Sequence, residues 1–201
     1  MGLFTRFTLL VLILSSSSYA KTVLIRSEPD ITGKGSSCGS GFFISENQIL
    51  TANHVLGENS RVEFDNKYFP VKIVKRNKEK DLALLEIDYS SESYLEIADD
   101  EPKIKDPVTC RGYPSGVWTC HTSSGILKEL ILVVSLEDKS MILMYSAWMD
   151  VIPGMSGGPL LTADKKFIGV LSTKNASGNI RGNFVSLPEI KAFLKKDEDE
   201  K

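Results

Sequence analysis

From Lys21 onward, short β-branched and aromatic runs alternate with turn residues roughly every ten positions, a rhythm that restricts the chain to an all-β barrel or sandwich. The runs lie at 22–25, 40–45, 48–51, 61–64, 68–77, 82–87, 107–112, 118–127, 131–135, 141–146, 159–161, 167–173 and 181–186. Asn47-Gln48, Asp65-Asn66 and Asp164-Lys165 stand where tight turns would join them. Helix signals are few. One turn is possible at 52–56, and 188–195 opens with Pro188 at a first helical position and carries Ile190, Phe193 and Leu194 on one side.

The strand pattern breaks at 92–105, where Ser, Asp, Glu and Pro take over. We read this as a connection between two β subdomains, about 21–95 and 106–187, within one domain covering 21–194. With 201 residues, 42% of them hydrophobic, the chain can bury a core of that size. The net charge of −2 supplies no basic field, which excludes nucleic acid as an expected partner.

Residues 1–20 differ in kind, with Arg6 as their one charge, an apolar core at 9–14 and Ser18-Tyr19-Ala20 at the end. They resemble a secretory signal peptide cleaved before Lys21. The apolar run is short for a bilayer span; a retained anchor is the alternative. The mature protein is therefore expected to be exported (secreted or periplasmic), monomeric and without a stable membrane span, and its charged tail at 195–201 to be disordered.

Three cysteines in an oxidising compartment suggest one pair and one unpaired thiol. Cys110 and Cys120 flank a Gly-, Pro- and Ser-containing connection, so a hairpin disulfide between them is expected, leaving Cys38 buried or reactive. No Cys/His set has zinc-ligand spacing, so no metal or other cofactor is expected.

The chemistry centres on Pro153-Gly154-Met155-Ser156-Gly157-Gly158-Pro159-Leu160. Glycines on both sides let the backbone turn sharply, expose Ser156 and aim successive N–H groups at one point. The octapeptide alone fits a nucleophile or a plain Gly-rich turn equally well. A nucleophilic serine needs a base, and the chain offers two histidines. His54 sits where a strand runs into a turn of small residues; His121 falls mid-strand and reads as an ordinary half-exposed side chain. A base needs an orienting carboxylate, and Asp81 stands where the charged turn Lys78-Glu79-Lys80 enters an apolar strand, although that position also suits a turn cap.

Together, Thr51-Ala52-Asn53-His54, Lys80-Asp81-Leu82-Ala83-Leu84-Leu85 and Gly154-Met155-Ser156-Gly157-Gly158-Pro159-Leu160 occur in the order His, Asp, Ser. With Gly39-Ser40-Gly41-Phe42, Gly112-Tyr113-Pro114 and Ile168-Gly169-Val170, this resembles the chymotrypsin-fold serine endopeptidases over about 34–187. Within them it is most similar to the compact bacterial branch of glutamyl endopeptidases and high-temperature-requirement protease domains. The resemblance implies two antiparallel six-stranded β-barrels with a short C-terminal helix and a protein or peptide substrate. It also implies a triad of Ser156, His54 and Asp81, and an oxyanion hole from the N–H groups of Gly154 and Ser156.

The trypsin branch carries an aspartate before the serine to receive a newly cut N-terminus; Met155 stands there, so activation by that ion pair is not expected. Asp150, six residues before Ser156, falls where that branch places the carboxylate at the base of its primary pocket, which favours Lys or Arg in the substrate. Lys174 on the flanking segment could neutralise it or favour an acidic side chain, and Ser172, Thr173 and Gly182 would line the remaining wall, so a small or apolar side chain ranks second as the preferred one and an acidic one last. Two other readings remain at this level: an inactive protease-fold binding module, and an unrelated exported β protein whose 154–159 segment is a turn.

Overall fold

The computed structural model describes residues 22–28, 37–134, 140–174 and 181–195, without the side chains of Thr173 and Lys174. The signal peptide expected at 1–20 and the charged residues beyond Lys195 lie outside the described residues.

The first half forms β1 (Thr22–Ser27), β2 (Ser37–Phe43), β3 (Gln48–Thr51), β4 (Arg61–Phe64), β5 (Lys67–Pro70), β6 (Lys72–Asn77) and β7 (Leu82–Glu86). These make one antiparallel sheet in the order β5-β4-β1-β2-β3-β7-β6. Asp65 and Asn66 take φ of 49° and 58°, the left-handed pair that a two-residue hairpin between β4 and β5 requires. The six-stranded barrel expected here is instead a seven-stranded sheet. The run at 68–77 is interrupted after Pro70, which has no N–H for a ladder, so β5 pairs with β4 and β6 with β7. The sheet's two edge strands are thus consecutive pieces of one segment joined through Val71.

The second half forms β8 (Pro107–Gly112), β9 (His121–Val134), β10 (Met141–Trp148), β11 (Pro159–Leu161), β12 (Phe167–Lys174) and β13 (Arg181–Ser186), closed into a six-stranded barrel in the order β10-β13-β12-β11-β8-β9. The runs at 118–127 and 131–135 are one strand, β9, which absorbs its extra residue at a bulge opposite Ser146 and Ala147. The intervening 87–106 segment holds only an isolated bridge, Ile97 to Phe167.

Closing the chain, α1 (Leu187–Leu194) buries Ile190 and Phe193 in the same apolar cluster as Phe43, Ile49 and Leu85 of the first sheet. The Phe42 and Phe167 rings meet edge-on at 5.1 Å across the two halves. Burial of this shared cluster fixes how the halves face one another. Among the described residues no helix is long and apolar enough to cross a membrane.

The Cys110–Cys120 disulfide is not formed; all three cysteines are free thiols. The β8–β9 register places Ser123 opposite Cys110, while Cys120 lies just before β9, three residues away. A hairpin connection is indeed present, but its offset puts the two sulfurs out of cross-strand alignment.

Candidate active site

His54 is presented by a 3₁₀ turn, Asn53–Val55, at the end of β3. Buried Ala52 and Val55 anchor the turn on either side, leaving the imidazole itself half-exposed. The Asn53 N–H donates to Asp81 O at 3.1 Å, drawing the turn alongside the start of β7. Asp81 adopts a φ of 53°, after a tight turn in which the Lys80 N–H donates to Asn77 Oδ1 at 2.8 Å. That left-handed conformation, tolerated by aspartate, turns its carboxylate inward rather than leaving it as a surface cap.

The carboxylate receives three donors. Asp81 Oδ1 accepts the His54 backbone N–H at 2.9 Å, and Oδ2 lies 2.8 Å from His54 Nδ1. Ser172 Oγ donates to the same Oδ2 at 2.5 Å. Hydrogen bonding to Asp81 is the largest influence on His54 and holds its pKa above the ordinary value of 6.5, against an opposing effect of burial.

The serine segment is held carbonyl by carbonyl. Pro153 O accepts the Ser115 N–H at 2.7 Å, Gly154 O accepts Ser40 Oγ–H at 2.9 Å, Met155 O accepts the Gly158 N–H at 2.9 Å, and Ser156 O accepts the Ser40 N–H at 2.6 Å. The N–H groups of Met155 and Gly157 donate to Ile152 O at 3.0 Å and Leu171 O at 2.7 Å. Among the described residues, two N–H groups of this segment donate to nothing: those of Gly154 and Ser156. Ser156 Oγ likewise has no hydrogen-bond partner among them.

Gly154 and Gly157 have φ of 97° and 84°, open to glycine at no steric cost. A Cβ on Gly157 would run into Ser40 O and Thr51 Oγ1, so the missing side chain lets the serine segment touch the residues just before His54. The structure therefore brings the segments of Ser156, His54 and Asp81 to one place from both halves of the fold.

A model of the trypsin-like peptidase domain matches residues 39–170. The chain belongs to the trypsin-like peptidase family. The chain is 28% identical over 200 residues to a putative Do-like 3 protease of mitochondria from Arabidopsis thaliana, covering 92% of this chain and 35% of that protein. It is 29% identical over 150 residues to a probable periplasmic DegP-like serine endoprotease from Rickettsia conorii, covering 71% of this chain and 30% of that one. The chain thus spans about a third of the length of these curated relatives. Its fold matches the active form of the Rv3671c protease from M. tuberculosis with a TM-score of 0.82 at 22% identity, over 96% of this chain and 92% of that one.

Three of the residues expected to line a specificity pocket, Asp150, Ser172 and Gly182, lie wholly within the described residues. Ser172 is buried and its hydroxyl is bonded to Asp81. Asp150 is solvent-exposed between buried Met149 and Val151. Gly182 is buried, with room above it filled by the Phe184 ring and Val151. The side chains of Thr173 and Lys174 are outside the described residues. His121 is an exposed first residue of β9, apart from the Asp81 network. Ser40 was visible in sequence only as the middle of Gly39-Ser40-Gly41; a polar residue between two glycines in a buried strand was the one available signal for its role.

Proposed function

We propose that the chain is an exported serine endopeptidase that hydrolyses peptide bonds through an acyl-enzyme. The observation that carries this reading is His54 held twice by Asp81, in a site where, among the described residues, the N–H groups of Gly154 and Ser156 are the two of the 153–158 segment that donate to nothing. Ser156 Oγ attacks the scissile carbonyl while His54 Nε2 takes its proton. Asp81 accepts from Nδ1–H, which fixes the tautomer and stabilises the imidazolium. The developing oxyanion takes the two free N–H groups, each such donor typically being worth about 3 kcal/mol of barrier. His54 then gives the proton to the leaving amine, and water repeats the sequence on the acyl-enzyme.

Met155 is fully buried, with its Cα and Cβ packed against Gly112. Apolar packing takes the place of the ion pair used in the trypsin branch, so the enzyme is competent without a newly cut N-terminus. Export is supported by the leader at 1–20 and by the periplasmic description of the Rickettsia relative. A fluorophosphonate probe tests the reading: the full chain labels, Ser156→Ala abolishes labelling and His54→Ala reduces it at least a thousandfold. Failure of the wild-type chain to label would overturn it.

A further inference from the structure

We propose that Ser40, on β2 of the first sheet, is the positioning residue that holds the oxyanion-hole loop of the second barrel in its working form, an inference that rests on the serine-protease reading above. Ser40 is fully buried and uses every polar atom it has. Its N–H donates to Ser156 O at 2.6 Å, its Oγ–H donates to Gly154 O at 2.9 Å, its Oγ accepts the Tyr113 N–H at 2.8 Å, and its carbonyl accepts Thr51 Oγ1–H at 2.6 Å.

Gly154 creates the need for such a clamp. Glycine passes readily between left- and right-handed conformations, so sterics alone leave the peptides on either side of Gly154 free to rotate. The hydroxyl of Ser40 governs both. It bonds Gly154 O directly, which together with the Met155 N–H on Ile152 O sets the Gly154–Met155 plane. Through Tyr113 N–H it also seats the 113–116 loop, whose Ser115 N–H holds Pro153 O. In a trans peptide the N–H points opposite to the carbonyl, so fixing Pro153 O on the Ser115 side aims the Gly154 N–H away from that loop. Thr51 braces Ser40 from the strand that leads to His54, so one side chain registers the hole against the base.

Removing the hydroxyl leaves the backbone bonds from Ser40 to Ser156, from Met155 to Ile152 and from Ser115 to Pro153 in place, but strips Gly154 O of its donor and Tyr113 N–H of its acceptor, which loosens both peptides of Gly154. The expected signature is therefore a loss in the chemical step with little change in initial binding. The test is fluorophosphonate labelling of the full chain, resolving the maximal inactivation rate from the half-saturating concentration. Ser40→Ala lowers the maximal rate at least tenfold and moves the half-saturating concentration less than twofold. Ser40→Cys, which nearly keeps the volume and has only a weak S–H donor, behaves the same way and carries the measurement if the alanine variant does not fold. Ile49→Val, a buried change on neighbouring β3 that removes no hydrogen-bonding group, lowers the melting temperature and leaves the rate unaltered.

A maximal rate within threefold of wild type in a folded Ser40 variant overturns the proposal. So does a rate loss that Ile49→Val reproduces at an equal drop in melting temperature, since Ser40 would then act only through stability. Absence of labelling in the wild-type chain overturns the protease reading itself, and this inference with it.

Discussion

Asp81 grips His54 at two points, Oδ1 on the backbone N–H at 2.9 Å and Oδ2 at 2.8 Å from Nδ1 of the ring. The first contact fixes where the turn sits; the second fixes how the ring is rotated. A single carboxylate therefore sets both position and tautomer, and its own direction is set by Ser172 and by the left-handed backbone at Asp81.

Asp81→Asn keeps the shape of this contact and reverses its polarity on one side. An amide nitrogen facing Nδ1 selects the wrong tautomer, so turnover is expected to fall by about four orders of magnitude with the fold retained, the loss measured for the same change in the type-case protease. Active-site labelling rates beside an unchanged circular dichroism spectrum check this, and a loss under tenfold would remove Asp81 from the triad.

The raised pKa of His54 has opposite consequences for stability and activity. Its ion pair with Asp81 stabilises the fold fully below pH 6.5, the unfolded value, and that contribution is lost as pH rises through the higher folded value. A general base must be neutral, so activity rises over the range where this stabilisation disappears. The acid limb of the labelling rate should lie above pH 6.5 and move to lower pH in Asp81→Asn. An acid limb below pH 6.5 in the wild type would contradict the pairing.

Gly157→Ala should destabilise the protein by about 2 kcal/mol or more, combining the strain of a non-glycine residue at a φ of 84° with a collision against Ser40 O and Thr51 Oγ1. Urea denaturation measures it. Gly116→Ala is the comparison: φ is 78° there too, but no atom lies near the added methyl, so only the backbone strain is felt. Equal losses in the two variants would show that the close approach of Gly157 to β2 and β3 contributes nothing.

The thiols should differ sharply in reactivity. Burial raises the pKa of Cys110 far above the usual thiol range, and burial also raises that of Cys38, which is only partly covered. Iodoacetamide at pH 8 is expected to alkylate Cys120 first, Cys38 more slowly, and Cys110 only on unfolding. Peptide mapping reads the order, and recovery of a Cys110–Cys120 disulfide from the native protein would contradict the free thiols seen here.

Much of the fold was legible because the local signals act over few residues. The Asp65-Asn66 hairpin, the Pro188 helix start and strands such as β8 and β13 follow from turn chemistry and β-branched runs. The break at Pro70 was readable as a proline inside a strand, yet which half pairs with which neighbour depends on partners distant in sequence. The disulfide expectation failed for the same kind of reason: spacing identified the connection, and register, set by whole-strand burial, decided the sulfur positions.

The residue types and order of the site, His54 then Asp81 then Ser156 with glycines around the last, are properties of the chain itself, because chemistry of this kind admits few substitutes at each place. The partners of those residues are properties of the packed molecule. Ser172 reaches Asp81 across 91 positions and Ser40 reaches Gly154 across 114, distances over which no local pattern carries information. Only when the buried cluster shared by the two halves brings β2 against the 153–158 loop do those hydroxyls acquire acceptors, and only then do the N–H groups of Gly154 and Ser156 become the two of that loop left over among the described residues.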